Sequence, residues 1–322
     1  MEKKYQLQTN NIGTYSIIAE KGTVLNSKNG LNAFINGYIR DFDFESQDVA
    51  SQTENAIRFI TEQWPVLNSI SGSFSCAIID DIKEEIILCN DSVGIYPLYY
   101  LTKDDEFYIS NSLIWLGAAS GAAIDSIGLF QRTYCPEFAN IGSRTLLENT
   151  KRLLPGEWIK FNKSGELLAK KYDNELYQNI SNTKSSFDYW EKLKRELSYC
   201  VAGEKKLHIA LSGCMDSRLI IGGLPKEKQL FCHTYGQDNY YETLIAKRIA
   251  KLYDAKFKSY SQPELNFPTK EILEKYTIET EAIYLNNGLE ILEAQEKKDR
   301  EIMLLGDMPE SLQGRNLPIK KN

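Results

Sequence analysis

The sequence predicts two domains of different class, an α+β domain rich in antiparallel sheet followed by an α/β domain with a parallel sheet. At 322 residues the chain exceeds an average domain, and each half is long enough to bury its own core. The first half alternates short apolar runs with turn residues, as antiparallel sheets do. The second half alternates apolar strands with helical periodicity, which is typical of crossover helices around a parallel sheet.

Short strands account for most of the first half. The predicted strands cover residues 15–19, 33–39, 73–79, 85–89, 98–101 and 107–110. Turn pairs such as Asn29-Gly30 separate these strands. One helix is predicted over 52–62, because Ala56, Phe59 and Ile60 share a face and Trp64-Pro65 ends the pattern.

The second half supplies fewer and more widely spaced strands. Strands are predicted at 207–211, 229–235 and 302–305, and helices at 218–224 and 241–253. Ile245, Ile249 and Leu252 share one face of the second helix. A polar stretch near 172–186 places the domain boundary, so that the predicted domains are 1–175 and 176–322.

Composition excludes several classes of function. A net charge of −6 and a pI near 5.3 argue against nucleic acid as a partner, because binding its phosphates needs clustered Lys and Arg. No apolar run approaches a membrane span, and the first residues lack a signal core, so we expect a cytoplasmic protein with no membrane partner. The six cysteines form no C-x-x-C pair and the only histidines are His208 and His233, which argues against zinc.

The stretch Ser212-Gly213-Cys214-Met215-Asp216-Ser217 lies between a predicted strand and a predicted helix. Backbone N–H groups converge at such a turn, where they favour a phosphate. The serine hydroxyls offer further donors, and Asp216 is suited to Mg²⁺. The alternative is an ordinary Ser-Gly turn with a capping side chain. Cys214 as a nucleophile requires a nearby base, and neither histidine is well placed in the sequence to provide one.

This turn resembles the S-G-G-x-D-S pyrophosphate loop of the ATP-pyrophosphatase group, with Cys214 in place of the second glycine. Three stretches of the first half resemble the glutamine amidotransferase domain of asparagine synthetases: F-I-N-G-Y-I-R-D at 34–41, G-S-F-S-C-A-I-I-D at 72–80 and D-S-V-G-I-Y-P-L-Y-Y at 91–100. R-L-L-P-G-E at 152–157 and G-D-M-P-E-S-L-Q-G at 306–314 resemble later motifs of that family. The chain is thus similar to the family of glutamine-hydrolysing asparagine synthetases and to its β-lactam-synthetase-like and peptide-cyclase-like relatives, which use no glutamine.

The resemblance implies a fold and a set of site residues. It implies an Ntn-hydrolase-like four-layer α+β sandwich followed by an adenine-nucleotide-hydrolase-like (PP-loop) α/β domain, with ATP and Mg²⁺ as cofactors. The implied nucleotide-binding residues are Ser212, Gly213, Cys214, Met215, Asp216, Ser217 and Thr234. Asp216 and Glu310 would hold the metal, and Asp307 is a candidate catalytic residue.

The first domain departs from the family where glutamine hydrolysis requires specific groups. The family's nucleophile is an N-terminal cysteine, whereas residue 2 is Glu2. Asn36 and Gly37 retain the oxyanion pair, but Tyr38 and Asn90 replace family residues expected to contact glutamine. We therefore expect a degenerate amidotransferase domain retained as a scaffold.

The expected activity is ATP-dependent amide formation through adenylation of a carboxylate, giving AMP and pyrophosphate without glutamine hydrolysis. The partners would be a small-molecule or peptide carboxylate and an amine. Little sequence follows Gly314, so we expect a truncated synthetase domain that is completed by a second polypeptide, or a homodimer. The alternative is a decayed, non-catalytic nucleotide-binding paralogue acting as a scaffold or partner subunit.

Overall fold

The computed structural model shows two compact units, unit 1 (residues 1–182 and 274–284) and unit 2 (183–273 and 285–322). The structure describes residues 5–8, 15–19, 23–26, 31–41, 57–58, 60–61, 70–94, 96–104, 106–134, 141–172, 186–202, 204–260, 270, 274, 302–304 and 306. Over these ranges, no helix has both the length and the apolar character needed to span a membrane.

Unit 1 contains eleven strands and two helices within its described residues. The strands are β1 (Tyr5–Gln8), β2 (Tyr15–Ala19), β3 (Thr23–Asn26), β4 (Leu31–Asp41), β5 (Ile70–Asp80), β6 (Glu85–Asn90), β7 (Tyr99–Lys103), β8 (Glu106–Ser110), β9 (Lys151–Arg152), β10 (Glu157–Asn162) and β11 (Leu167–Tyr172). The helices are α1 (Leu113–Ser120) and α2 (Ser126–Tyr134). Residues 57–58 and 60–61 are also helical.

The strands of unit 1 form two sheets. One has the order β1-β2-β8-β7-β9 and the other has the order β11-β10-β6-β5-β4-β3. Neighbouring strands are antiparallel, except that β2 and β8 run parallel. The predicted antiparallel character is therefore confirmed with one exception.

Alternating side chains of the six-stranded sheet pack into two different hydrophobic cores, one on each face of the sheet. Phe34 and Ala77 belong to a core shared with Phe107 of the five-stranded sheet. Ile35 and Cys76 point the opposite way and belong to a core that includes the helical residues 57 and 60. The period of two along a strand explains this division.

The outer face of the five-stranded sheet is covered by α1. Tyr99 and Leu101 pack there with Leu113 and Leu116. Unit 1 thus runs from helix to sheet to sheet to helix, which confirms the predicted four-layer α+β sandwich. Strands β1, β3, β9, β10 and β11 and helices α1 and α2 were not predicted from the sequence.

Unit 2 is built on a parallel sheet. Its elements are α3 (Ser186–Cys200), β12 (Lys206–Ala210), α4 (Met215–Gly223), β13 (Gln229–Tyr235), α5 (Tyr241–Leu252), β14 (Lys256–Tyr260) and β15 (Ile302–Leu304). The strand order is β14-β13-β12-β15, and all three pairings are parallel. The predicted parallel sheet with crossover helices is confirmed, while the PP-loop type of this unit stays a prediction.

One face of this sheet packs on the helices. Leu207, Ile209 and Cys232 share a core with residues of α3, α4 and α5. The helical face predicted for α5 was wrong at Leu252, which is 82% exposed, whereas Ile249 packs against the core and Ala246 and Ala250 are fully buried. Small side chains at the two alanines let the helix approach the sheet closely.

Candidate functional site

The predicted phosphate loop lies at the carboxyl end of β12. From β12 the chain proceeds to β13 and β14 on one side, whereas β15 pairs with the opposite edge of β12. β12 is therefore the strand at which the strand order reverses, and ligands of open parallel sheets bind beyond the carboxyl ends of the strands at such a point. Helix α4 begins at Met215, inside the motif rather than after it as predicted.

The hydroxyl of Ser217 closes this loop on itself. Ser217 is 3% exposed, and its Oγ accepts a hydrogen bond from the Ser212 backbone N–H at 3.1 Å. The same oxygen lies 3.2 Å from the Ser212 carbonyl oxygen and 3.4 Å from that of Cys214. A hydroxyl has one proton, and both carbonyl oxygens near that of Ser217 belong to the loop. The hydrogen bonds of Ser217 therefore hold the loop in shape.

The hydroxyl of Ser212 is less committed. It accepts the Cys214 backbone N–H at 3.2 Å and lies 3.1 Å from the Ser217 Oγ. Its proton can be donated either to Ser217 or outward, because Ser212 is only half-buried. Of the two predicted hydroxyl donors, Ser212 is thus the better placed for a ligand.

Cys214 occupies its position without backbone strain. Its φ of −76° and ψ of 165° are extended values open to any residue. The side chain is exposed and makes no capping bond to α4. Its thiol lies 4.0 Å from Oε1 of Glu242, so the side-chain group beside it is a carboxylate and not a histidine that could act as its base. Cys232, unlike Cys214, is buried, and this burial raises the pKa of the Cys232 thiol to about 12.

Two glycines let neighbouring segments approach the loop. A Cβ on Gly213 would lie 3.0 Å from Cα of Glu242, the second residue of α5. A Cβ on Gly306 would lie 2.9 Å from the backbone nitrogen of Ser217 and 3.2 Å from the carbonyl carbon of Asp216. The structure therefore brings the N-termini of α4 and α5 together with the beginning of the 306–314 stretch.

The remaining predicted residues are placed unequally. Asp216 lies half-buried in the first turn of α4, and Met215 beside it is 67% exposed. Thr234 is buried near the end of β13. Asp307 and Glu310 lie outside the described residues, as does Glu2. A carboxylate at a helix N-terminus beside the loop is a hard oxygen donor of the kind Mg²⁺ prefers, so Asp216 as a metal ligand stays a prediction. Among the residues that the structure describes, no three possible ligands lie together.

A histidine pair on the sheet was not predicted. Nδ1 of His208 lies 2.7 Å from Nε2 of His233, and their rings stack at 5.0 Å. Burial, with further contributions from His208 and Lys258, lowers the pKa of His233 to about 4. The two residues lie on adjacent strands, which only the strand register reveals.

Gly37, the second residue of the predicted oxyanion pair, lies close to a tyrosine. Gly37 has a φ of +94°, and a Cβ there would lie 2.1 Å from the Ser73 carbonyl oxygen and 2.7 Å from the Tyr96 ring. Glycine is therefore required at this position. The close approach of the Tyr96 ring leaves little room over the Gly37 backbone.

Two further motif residues have structural partners. Asn90 is 2% exposed, and its side-chain oxygen accepts the Glu157 backbone N–H at 3.2 Å. Asp91 accepts three backbone N–H groups, those of Phe74, Val93 and Gly94, at 2.9, 2.8 and 3.0 Å. These bonds tie Asn90 to the 152–157 stretch and Asp91 to β5 and to the turn that follows it, so both residues have structural roles.

Residues 17–173 match the family model of a glutamine amidotransferase domain. Unit 1 therefore carries a glutamine amidotransferase-type domain. This match agrees with the four layers of the unit. It specifies the amidotransferase domain and not the asparagine synthetase family, to which the motifs of both halves show a resemblance.

Two solved structures are similar to this chain at low level. The allosteric regulatory enzyme of purine biosynthesis has 12% identity and a TM-score of 0.30, over 77% of this chain and 64% of its own. Glutamine phosphoribosylpyrophosphate amidotransferase from B. subtilis, complexed with ADP and GMP, has 12% identity and a TM-score of 0.29, over 92% and 60%. The chain thus spans less than two thirds of either structure, and scores of this size carry no argument. Among curated proteins, nothing matches the chain.

Proposed function

We propose that the chain is an ATP-dependent, amide-forming ligase of asparagine-synthase type that adenylates a carboxylate and does not hydrolyse glutamine. The observation that carries the proposal is the Ser212–Ser217 loop, which follows the strand where the order of the parallel sheet reverses. A loop in this position, leading into a helix N-terminus, suits the phosphates of a nucleotide.

The proposed reaction has two steps. A carboxylate oxygen of the substrate attacks the α-phosphorus of ATP, and the bond to the β-phosphate oxygen breaks to release pyrophosphate. An amine then attacks the activated carbonyl carbon, AMP leaves with the electron pair of the broken C–O bond, and the nitrogen releases a proton to water. The N-terminus of α4 and the Ser212 hydroxyl would stabilise negative charge on the phosphates.

Asp216 is the described residue that would hold Mg²⁺, with Glu310 as its proposed partner. The metal would neutralise phosphate charge and stabilise the departing pyrophosphate. Without it, a carboxylate beside the polyphosphate would repel the nucleotide. Calorimetry should therefore show Mg²⁺-dependent ATP binding that is weaker in Asp216→Asn, and equal affinities would remove Asp216 from the site.

Isotope exchange between ATP and pyrophosphate tests the proposal directly. The full chain is incubated with labelled pyrophosphate and a panel of small-molecule and peptide carboxylates, and label entering ATP is measured. Exchange that depends on one carboxylate supports adenylation. Tight Mg-ATP binding with no exchange for any carboxylate contradicts it.

A nucleotide-binding scaffold is the second candidate, and Cys214 is the observation that favours it. A side chain stands where the pyrophosphate loop pattern has glycine, and it is exposed beside the proposed phosphate position. The matched variant Cys214→Gly separates steric crowding from loss of the site. If crowding limits binding, this variant should bind Mg-ATP more tightly than the parent chain.

A further inference from the structure

Helix α2 of unit 1 presents its aromatic residues outward. Ile127, Phe130 and Tyr134 follow the i, i+3, i+7 spacing of one helix face. They are 54%, 59% and 71% exposed, respectively. The rings of Phe130 and Tyr134 contact each other, with centroids 4.4 Å apart. A surface helix ordinarily turns such a face toward the core, so this orientation needs an explanation.

The opposite side of α2 is attached to unit 1. Gly128 is buried, and a Cβ there would lie 2.0 Å from the Thr145 carbonyl oxygen. Its N–H donates to Oδ1 of Asp125 at 2.6 Å, which caps the helix. The Ile141 N–H donates to the Gln131 side chain at 3.1 Å. These contacts fix the helix with its apolar face turned away from the unit.

The exposed face continues onto the flanking segments. Ile124 precedes the cap and Ile141 lies alongside α2, and they are 64% and 67% exposed. We call the five side chains Ile124, Ile127, Phe130, Tyr134 and Ile141 the α2 patch. Side chains of this size cover on the order of 200 Å² each. Because all five are more than half exposed, the patch offers on the order of 500 Å² of apolar surface.

This area matches what a stable homodimer needs. A standard interface buries about 800 Å² per partner, and homodimer interfaces are about 65% apolar, which gives about 500 Å² of apolar surface on each copy. A helix face of this kind can also cover itself across a twofold axis, because each copy presents the same side chains to the other.

The charges beside the patch point to the same partner. Arg144 Nη1 and Asp125 Oδ2 form an ion pair of 2.6 Å next to the patch. Because these two charges neutralise each other, the pair attracts neither an acidic nor a basic surface. A second copy of the chain brings an equally uncharged apolar surface.

We propose that the α2 patch is a homodimer contact in which α2 of one copy packs against α2 of another. The test is sedimentation equilibrium of the full chain up to about 100 µM, which exceeds the micromolar dissociation constants of weak interfaces of this size. The parent chain should form a dimer. Phe130→Glu places a charge in the patch and should weaken the dimer at least about tenfold.

Leu129→Glu is the matched control, because Leu129 is 47% exposed on the same helix but lies away from the Ile127–Phe130–Tyr134 face. This variant should dimerise like the parent. Equal thermal unfolding of both variants and the parent, followed by circular dichroism, establishes that the fold is kept. A parent chain that stays monomeric overturns the proposal, as does equal weakening by the two substitutions.

Discussion

Replacing Ser217 by alanine should loosen the loop between β12 and α4. The hydroxyl is the acceptor for the Ser212 backbone N–H and lies within hydrogen-bond distance of two loop carbonyl oxygens. A typical hydrogen bond contributes about 1 kcal/mol, and a buried donor left without its acceptor costs about 1–3 kcal/mol. Because Ser212 is half-buried and water can replace part of the loss, we expect Ser217→Ala to cost about 2 kcal/mol.

Native-state hydrogen exchange measures this loss of stability at the loop and its flanking elements. Mass spectrometry of peptides covering 206–223 follows the amides of β12 and α4 independently of unit 1. A loss of about 2 kcal/mol should speed exchange of the protected amides about 30-fold. The control is Ser212→Ala, which removes a less buried acceptor and should cost less than about 1 kcal/mol.

The outcome distinguishes two roles for the same hydroxyl. If Ser217→Ala exchanges at the parental rate, the hydroxyl does not hold the loop, and the reasoning from its burial and contacts is refuted. It would then be available to a phosphate. If Ser212→Ala proves the more damaging change, the assignment of shape to Ser217 and ligand binding to Ser212 must be reversed.

Three further predictions concern unit 1 and the histidine pair. Gly37→Ala should lower the free energy of unfolding by roughly 3 kcal/mol, because the alanine would have a positive φ and would overlap the Ser73 carbonyl oxygen. The control is Gly142→Ala, which has a positive φ but open space around it and should cost about 1 kcal/mol. Equal costs in thermal unfolding of the two variants would contradict the overlap at Gly37. Because the pKa of His233 is about 4 when folded and about 6.5 when unfolded, the unfolded chain binds more protons between these values, so stability should fall as pH drops from about 6.5 to about 4. The free energy of unfolding, measured by urea denaturation at several pH values, should therefore fall less steeply below about pH 6.5 in His233→Asn than in the parent chain. An unchanged pH dependence in the variant would count against the burial of His233. Glutamate release from glutamine should stay at the rate without enzyme, and release that disappears on mutating a cysteine would disprove this.

The strands that the sequence predicted well are continuous apolar runs bounded by turns. In β5 and β6, nearly every residue is buried on one side or the other, and apolar runs bounded by turns identify such strands. Helix α1 escaped prediction because Leu-Ile-Trp-Leu-Gly-Ala-Ala-Ser is apolar on every side, so it has no helical periodicity. β11 was missed because most of its side chains are exposed.

The candidate site was predictable in its location but not in its hydrogen bonds. A strand followed by Ser-Gly and a helix indicates a phosphate-binding turn from sequence alone. Which serine bonds internally depends on how the chain closes from 212 to 217, and sequence does not specify that. The approach of Gly306 to Ser217 and of Gly213 to Glu242 depends on packing between separate segments. The same holds for the stacking of His208 on His233.

The backbone at Cys214 changes how the missing glycine should be understood. A glycine is needed for conformation when φ is positive and for space when a ligand or chain segment comes close. At Gly37 the structure shows both needs, whereas Cys214 has ordinary extended angles and an exposed side chain. The cysteine therefore imposes no strain on the folded loop, and any cost of the substitution must arise when a phosphate approaches it. Stability of the chain alone is consequently a poor guide to whether the site works, and nucleotide affinity of Cys214→Gly against the parent is the informative comparison.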